Sequence, residues 1–108
     1  MINMREITVQ ELKKMRENNT PHQLIDVREQ HETEIAEIGG ELIPMGEILS
    51  NIDKIAKDKP VIVHCRSGAR SAAIILALEK QHGFTNLYNL KGGILAWASE
   101  IDQSVTKY

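Results

Sequence analysis

The single cysteine of this 108-residue chain lies in a segment whose residue types suit nucleophilic chemistry. Cys65 follows the β-branched run 61–63, and two arginines, Arg66 and Arg70, come before the apolar segment 71–78. A strand, a turn of small residues and a helix N-terminus together form a nest of backbone N–H groups that suits an anion. The helix dipole and the arginine charges favour a thiolate at such a place. We therefore predict a nucleophile loop at residues 65–70.

A lone cysteine is more often a small buried core residue than a nucleophile. That interpretation fits the neighbours poorly, because arginines that flank Ser-Gly-Ala make an unsuitable core segment. We predict that Cys65 is the catalytic residue. The residues predicted to bind the substrate are those that follow it: Arg66, Ser67, Gly68, Ala69 and Arg70.

Three stretches of the chain resemble the rhodanese-like sulfurtransferases, in the order expected for that family. Residues 65–70 (Cys-Arg-Ser-Gly-Ala-Arg) resemble the active-site loop, and residues 24–29 (Leu-Ile-Asp-Val-Arg-Glu) resemble the early strand and turn. Residues 83–93, with Trp97 after them, resemble the late signature. The resemblance implies a single rhodanese-like domain of the α/β class, with a five-stranded, mostly parallel sheet and helices on both faces.

One stretch departs from the family pattern. Many members have Gly-His-Ile before the third strand, where this chain has Glu-Ile-Gly-Gly at residues 37–40. This version is similar to that of rhodanese-like domains fused to sulfur-carrier-activating enzymes. The departure lies outside the loop 65–70, so it concerns the partner rather than the chemistry.

The resemblance implies sulfur transfer through a covalent intermediate. The Cys65 thiolate attacks the outer sulfur of a small anionic donor such as thiosulfate, or the sulfur of a persulfide, and Cys65 then carries a persulfide. A thiol, a protein or cyanide takes the outer sulfur. Backbone N–H groups of residues 67–70 hold the anionic sulfur, as oxyanion holes hold charge, while Arg66 and Arg70 orient the donor. No metal or cofactor is expected.

Two other functions compete with this interpretation. Cysteine phosphatases also use a Cys-to-Arg loop, but with five residues between the two, whereas four residues separate Cys65 from Arg70. The smaller ring of N–H groups suits one sulfur atom better than a tetrahedral phosphate. The other alternative is a rhodanese-like module kept for binding or regulation, and the intact loop with its cysteine argues against it.

Asp26 and Arg28 follow the second predicted strand, and we expect them to support the site rather than to react. Asp26 can accept backbone N–H bonds in the turn at the end of this strand. Arg28 can pair with a carboxylate beneath the active loop. His64 stands next to Cys65, but adjacent side chains of a strand point to opposite faces, so we expect no catalytic role for it.

Strands and helices alternate along the chain, which predicts a parallel α/β sheet. The predicted strands are 6–8, 23–26, 41–43, 61–63 and 86–90. The predicted helices are 9–18, with a capping box formed by Thr8 and Glu11, a short one within 28–36, an amphipathic one over 46–55, 71–78, and a last one that Gly92 and Gly93 open. Ligands bind at the carboxyl ends of such strands, so residues 26–28, the loop 65–70 and residues 91–93 should meet at one edge.

Size and composition limit the number of domains and the kinds of partner that we expect. The length suits one domain, 1–108, with a core of about 5–101 and a polar tail, 102–108, that we expect to fray. A net charge of −2 gives no reason to expect nucleic acid or a membrane as partner. One cysteine allows neither an internal disulfide nor a resolving thiol, so sulfur must pass to another molecule. Residues 1–6 lack the layout of a secretory signal, and we expect a cytoplasmic location.

Overall fold

Residues 4–108 are described by a computed structural model, and within that range five parallel strands form one sheet. The strands are β1 (Glu6–Ile7), β2 (Gln23–Asp26), β3 (Glu41–Leu42), β4 (Val61–His64) and β5 (Leu87–Leu90). Their order in the sheet is β1-β5-β4-β2-β3, and every neighbouring pair is parallel. The predicted α/β sheet is confirmed, and Cys65 follows its central strand, β4.

The helices are α1 (Val9–Glu17), α2 (Gln30–Ile35), α3 (Ala69–His82) and α4 (Gly93–Glu100). The predicted capping box at the start of α1 is confirmed, since the Glu11 N–H donates to Thr8 Oγ1 (3.1 Å) and the Thr8 N–H donates to Glu11 Oε1 (2.9 Å). The helix α3 begins at Ala69, two residues before the predicted start. Ala69 and Arg70 therefore belong to the first turn of a helix rather than to a loop.

The amphipathic helix predicted over residues 46–55 is wrong. Two short 3₁₀ turns, Ile48–Ser50 and Ile52–Lys54, occupy this stretch. Asn51 lies between them, and its side-chain Nδ2 donates to the Glu47 carbonyl (2.8 Å), which an α-helix would give to the Asn51 backbone N–H. The backbone N–H donates to the Ile48 carbonyl instead. Asparagine often competes with helical hydrogen bonds in this way.

Apolar residues cover both faces of the sheet, as alternation along a strand requires. On one face Ile25 and Val63 pack in a cluster with Ile75 of α3. On the other face Leu24 and Ile62 pack in a second cluster, with α1 and α4. Helices on both faces are therefore confirmed. Burial of strands on both faces is typical of parallel sheets.

The start of α4 lies directly against the segment that follows β4. The Ile94 N–H donates to the Cys65 carbonyl (3.0 Å), and the Leu95 N–H donates to the Arg66 carbonyl (3.1 Å). Gly93 has a φ of +59°, and a Cβ at this position would lie 2.5 Å from the Arg66 carbonyl oxygen and 2.6 Å from that of Cys65. Only glycine allows the two backbones to approach this closely.

The expectation that residues 1–6 form no secretory signal falls partly on residues 1–3, which lie outside the described residues. Among the helices found in residues 4–108, none combines the length and apolar character needed to cross a membrane.

The Gly93→Ala substitution should destabilise the fold by about 3 kcal/mol, because the new methyl group overlaps two backbone carbonyls and the backbone is left-handed. The matched control is Gly83→Ala, since Gly83 has a similar φ of +67° but no atom within 4 Å of the added Cβ. It should cost only the backbone strain, about 1 kcal/mol. Urea unfolding of both variants measures the difference. Equal losses would show that the contact of Gly93 with the cysteine segment is unimportant.

Candidate functional site

The carboxyl ends of β2, β4 and β5 bring the three predicted segments together. The Val27 N–H donates to the His64 carbonyl (3.0 Å), which joins the turn after β2 to the end of β4. The first turn of α4, which follows β5, donates to the Cys65 and Arg66 carbonyls. The predicted meeting of these segments at one edge is confirmed.

Backbone N–H groups surround the sulfur of Cys65, a residue that is only 1% exposed. Cys65 Sγ accepts the Gly68 N–H (3.1 Å) and the Ser71 N–H (3.5 Å), and Ser71 Oγ lies 3.4 Å away. Gly68 takes a left-handed conformation, with φ of +108°, that turns its N–H toward the sulfur. The segment therefore forms a cradle of donors around Cys65 Sγ, in which Gly68 lies within the predicted range 67–70 and Ser71 lies outside it.

Two opposing influences set the pKa of the Cys65 thiol. Burial raises the pKa, because a thiolate is less well solvated inside the protein. Hydrogen bonds from the Ser71, Gly68 and Ser67 N–H groups, and from the Ser71 hydroxyl when it donates to the sulfur, lower it by more. The pKa of Cys65 consequently lies below that of an ordinary cysteine, which favours the nucleophilic form.

Two buried polar residues behind the cradle were not singled out from the sequence. Ser71 Oγ donates to Asn89 Oδ1 (2.6 Å), and Asn89 Nδ2 donates to the Gly68 carbonyl (3.2 Å). Asn89 is 4% exposed and lies in β5 among apolar neighbours. A polar residue within a short apolar strand is the signal that marks it, because such a side chain needs partners inside the protein.

Both arginines of the cysteine segment already bind groups of the protein, at positions predicted to bind the sulfur donor. Arg70 Nη1 and Nη2 donate to the two carboxylate oxygens of Glu32 on α2 (2.7 and 2.8 Å). This fork holds the pKa of Glu32 well below its usual range and raises that of Arg70. Arg66 is exposed, and its guanidinium donates to the backbone carbonyl oxygen of Tyr108. The sequence did not indicate Glu32, which lies far along the chain from Arg70.

Asp26 and Arg28 form a buried pair beneath the site. Asp26 Oδ1 accepts the Arg28 backbone N–H (3.0 Å), as predicted for the turn, and the Arg28 guanidinium donates to both carboxylate oxygens of Asp26. Arg28 Nη2 also donates to the Ala36 carbonyl (2.8 Å), which ties the end of α2 to β2. The pair therefore holds the turn after β2 and the end of α2 together, and its support of the site stays a prediction.

His64 lies on the opposite side of the strand from the Cys65 thiol. Its Nδ1 is 3.4 Å from the Cys65 carbonyl oxygen, and its Nε2 is 3.7 Å from Asp26 Oδ2. Within residues 4–108, Nε2 has no hydrogen-bond partner. Burial is the main reason that the pKa of His64 falls to about 4, although the Asp26 charge acts in the other direction. The neutral imidazole contacts the Cys65 carbonyl rather than the Cys65 sulfur.

The expectation that residues 102–108 fray is wrong for Tyr108. Its hydroxyl donates to Glu32 Oε2 (2.6 Å) and accepts a bond from Arg28 Nη1 (2.9 Å). The Arg66 guanidinium carbon lies 5.2 Å from the centre of its ring. The aromatic ring gains apolar and cation–π contacts that a polar composition does not reveal.

The fold and this site define a class of protein: an α/β domain in which one cysteine, at the end of the central strand, lies in a cradle of backbone N–H groups. The Rhodanese-like domain family model matches residues 8–100, and the chain belongs to that family.

Several relatives are similar over most of this chain. The Mycobacterium tuberculosis "Probable adenylyltransferase/sulfurtransferase MoeZ" is 35% identical over 105 residues, which cover 94% of this chain but only 26% of the relative. The Bacillus subtilis "Putative sulfurtransferase YtwF" is 37% identical over 98 residues, which cover 90% of this chain and 93% of that protein. A solved rhodanese-like domain protein from Staphylococcus aureus superposes with a TM-score of 0.81 at 32% identity, covering 97% of this chain and 99% of that structure.

The Glu32→Gln substitution should lower the free energy of unfolding by about 2 kcal/mol at pH 7, because Arg70 loses a charged, bidentate partner. The folded-state pKa of Glu32 is depressed. The stability that it contributes is therefore present at neutral pH and lost as the pH falls below the unfolded-state value of about 4.3. The difference between the two proteins should narrow in acid. Urea unfolding at a series of pH values measures this.

Glu34→Gln is the matched control for that experiment, since Glu34 lies on the same helix and is exposed. It should change stability little at any pH. A Glu32→Gln effect that stays constant from neutral to acid pH would contradict the role assigned to the ion pair.

The Cys65 thiol should ionise below about pH 8.5, the value for a free cysteine, because the N–H cradle stabilises the thiolate. The rate of alkylation by iodoacetamide, followed against pH, gives the midpoint. The same chain unfolded in urea supplies the reference midpoint. A folded-state midpoint equal to or above that reference would remove the argument that the cradle activates the sulfur.

Proposed function

We propose that the chain is a sulfurtransferase that carries sulfane sulfur as a persulfide on Cys65. The observation that carries the proposal is the cradle of N–H groups from Gly68 and Ser71 around a buried sulfur with a lowered pKa. Relatives whose names include sulfurtransferase, among them YtwF, support the same general activity. The proposal includes thiosulfate as a donor, a persulfide on Cys65 as the intermediate, and the site residues expected from the sequence.

In the first step the Cys65 thiolate attacks the outer sulfur of a donor such as thiosulfate. A bond forms between Cys65 Sγ and that sulfur, the S–S bond of the donor breaks, and sulfite leaves with the bonding electron pair. No general base is needed when the thiol is already ionised. This agrees with the position of His64, which contacts the Cys65 carbonyl rather than the thiol.

In the second step an acceptor nucleophile attacks the outer sulfur of the persulfide. The bond to Cys65 Sγ breaks, and Cys65 departs as a thiolate. The N–H groups of Gly68 and Ser71 stabilise negative charge on the sulfur without having to reorganise, which is the advantage of a preformed donor site. One cradle thus serves both the attacking and the departing thiolate.

The two arginines of the cysteine segment have different roles in the proposed reaction. Arg66 is exposed, so its guanidinium attracts an anion from solvent and exchanges the Tyr108 carbonyl for it. Arg70 is engaged by Glu32, and its main role is to fix the first turn of α3, which supplies the Ser71 N–H. We therefore assign donor attraction chiefly to Arg66.

The acceptor is proposed to be a thiol, small or on a protein. Residues 37–40 are similar to domains fused to sulfur-carrier-activating enzymes, and MoeZ is named as both an adenylyltransferase and a sulfurtransferase. This favours a protein acceptor. A cytoplasmic location, expected from the sequence, stays a prediction.

The Cys65→Ser and Cys65→Ala variants should lose thiosulfate:cyanide sulfur transfer completely, because a hydroxyl or methyl group cannot form the persulfide. Both should unfold at urea concentrations close to that of the wild type. Incubation with thiosulfate should add the mass of one sulfur atom to the wild type and nothing to either variant.

Two results would contradict the proposal. One is appreciable sulfur transfer by a folded variant that lacks the thiol. The other is hydrolysis of an aryl phosphate by the wild type at a rate above that of sulfur transfer, which would favour the cysteine phosphatase alternative and overturn the loop-length argument.

A further inference from the structure

The Ser71 hydroxyl has one proton and three possible acceptors. Ser71 Oγ lies 2.6 Å from Asn89 Oδ1, 3.2 Å from the Gly68 carbonyl oxygen and 3.4 Å from Cys65 Sγ. The Ser71 side chain is fully buried. The acceptor that holds this proton decides whether Ser71 stabilises the thiol or the thiolate of Cys65.

The orientation of the Asn89 amide determines which acceptor faces Ser71. A backbone carbonyl only accepts, so Asn89 Nδ2 must face the Gly68 carbonyl, to which it donates (3.2 Å). Asn89 Oδ1 then faces Ser71 Oγ at 2.6 Å, a distance typical of a strong O–H···O bond. The opposite orientation would set two oxygens against each other at the Gly68 carbonyl. The Ser71 proton therefore lies on the bond to Asn89.

This placement leaves a lone pair of Ser71 Oγ directed at the Cys65 sulfur. In the resting thiol the S–H can donate to Ser71 Oγ, which donates in turn to Asn89 Oδ1. The chain of two hydrogen bonds favours the protonated sulfur. On ionisation the S–H bond is lost, and the hydroxyl must leave Asn89 and turn toward the thiolate to stabilise it.

We propose that Asn89 is a positioning residue that sets the ionisation of Cys65 by holding the Ser71 proton away from the sulfur. The inference rests on the proposed function only in taking Cys65 as the reacting thiol. In the persulfide Cys65 Sγ carries no proton, so Ser71 keeps its bond to Asn89. When an acceptor removes the outer sulfur, the hydroxyl turns toward the departing Cys65 thiolate.

Other charged and titratable groups also surround the cysteine. They are Glu32 on α2, His64 on β4, Arg66 and Arg70 of the cysteine segment, Tyr108 of the tail, and the Asp26–Arg28 pair that follows β2. None of them hydrogen-bonds to Asn89 within residues 4–108, so replacing Asn89 leaves their charges in place. A change in the pKa of Cys65 when Asn89 is replaced then reports a change in the hydrogen bond that the Ser71 hydroxyl donates.

The test is a double-mutant cycle on the thiol pKa, measured by iodoacetamide alkylation against pH. Asn89→Ala removes the acceptor and frees the Ser71 hydroxyl to donate to the thiolate, so the pKa of Cys65 should fall by about one unit. In a Ser71→Ala background the same Asn89→Ala change should leave the pKa unaltered. The acid limb of kcat/KM for thiosulfate should move to lower pH by the same amount.

Asn86→Ala is the matched control. Asn86 Nδ2 donates to the Ala56 and Lys59 carbonyls at the opposite end of β5, so its loss removes comparable hydrogen bonds away from the cysteine. It should not change the thiol pKa. Asn89→Leu, which fills the space of the amide without an acceptor, is measured alongside Asn89→Ala, and urea unfolding verifies that each variant is folded.

Two outcomes would overturn the inference: a thiol pKa that rises in the Asn89 variants, or a fall that persists when Ser71 is alanine. Either would mean that Asn89 acts through the Gly68 backbone instead. Alkylation requires no sulfur donor, so its result is independent of sulfur transfer. A wild type that transfers no sulfur while the pKa cycle behaves as expected would refute the proposed function and leave the inference standing.

Discussion

Turning several backbone N–H groups toward one sulfur atom is the constraint on which the rest of this site depends. The segment that supplies these N–H groups also has carbonyls that point elsewhere, and buried carbonyls require donors. The Ile94 and Leu95 N–H groups serve the Cys65 and Arg66 carbonyls, and Asn89 Nδ2 serves that of Gly68. The close approach of α4, with glycine at its first position, follows from this need. The late part of the chain therefore completes a site that the middle of the chain begins.

Charge at the site is organised in pairs rather than left free. Arg28 is fully buried and bound by Asp26, while Arg70 is bound by Glu32. Tyr108 connects the two pairs, because its hydroxyl contacts both Arg28 and Glu32. Breaking a buried pair would leave an unpaired charge, which is much more costly than losing an exposed salt bridge. These pairs hold α2 and the first turn of α3 in place around the sulfur.

The sequence predicted those features that depend on neighbours along the chain. The cysteine segment, the turn formed by Asp26 and the capping box of α1 are all local patterns. Glu32 and Arg70 are 38 residues apart, and Asn89 and Ser71 are 18 apart, so only the folded sheet brings each pair together. The wrong prediction of a helix over 46–55 has a different cause. Asn51 satisfies the Glu47 carbonyl with its side chain, and the spacing of apolar residues does not reveal that competition.

A cysteine that both attacks and departs does not benefit from the lowest attainable pKa. A lower pKa makes the thiolate more abundant and a better leaving group, but it also makes that thiolate a weaker nucleophile, so the best attacking thiol has a pKa near the working pH. A two-step transfer through Cys65 therefore benefits from contacts that lower the pKa of the thiol and from others that raise it. The N–H groups of Gly68 and Ser71 favour the thiolate, whereas burial favours the thiol. The proposed retention of the Ser71 proton by Asn89 also acts on the side of the thiol. In the proposed transfer, the opposition between these contacts is what allows one sulfur atom to serve in both steps.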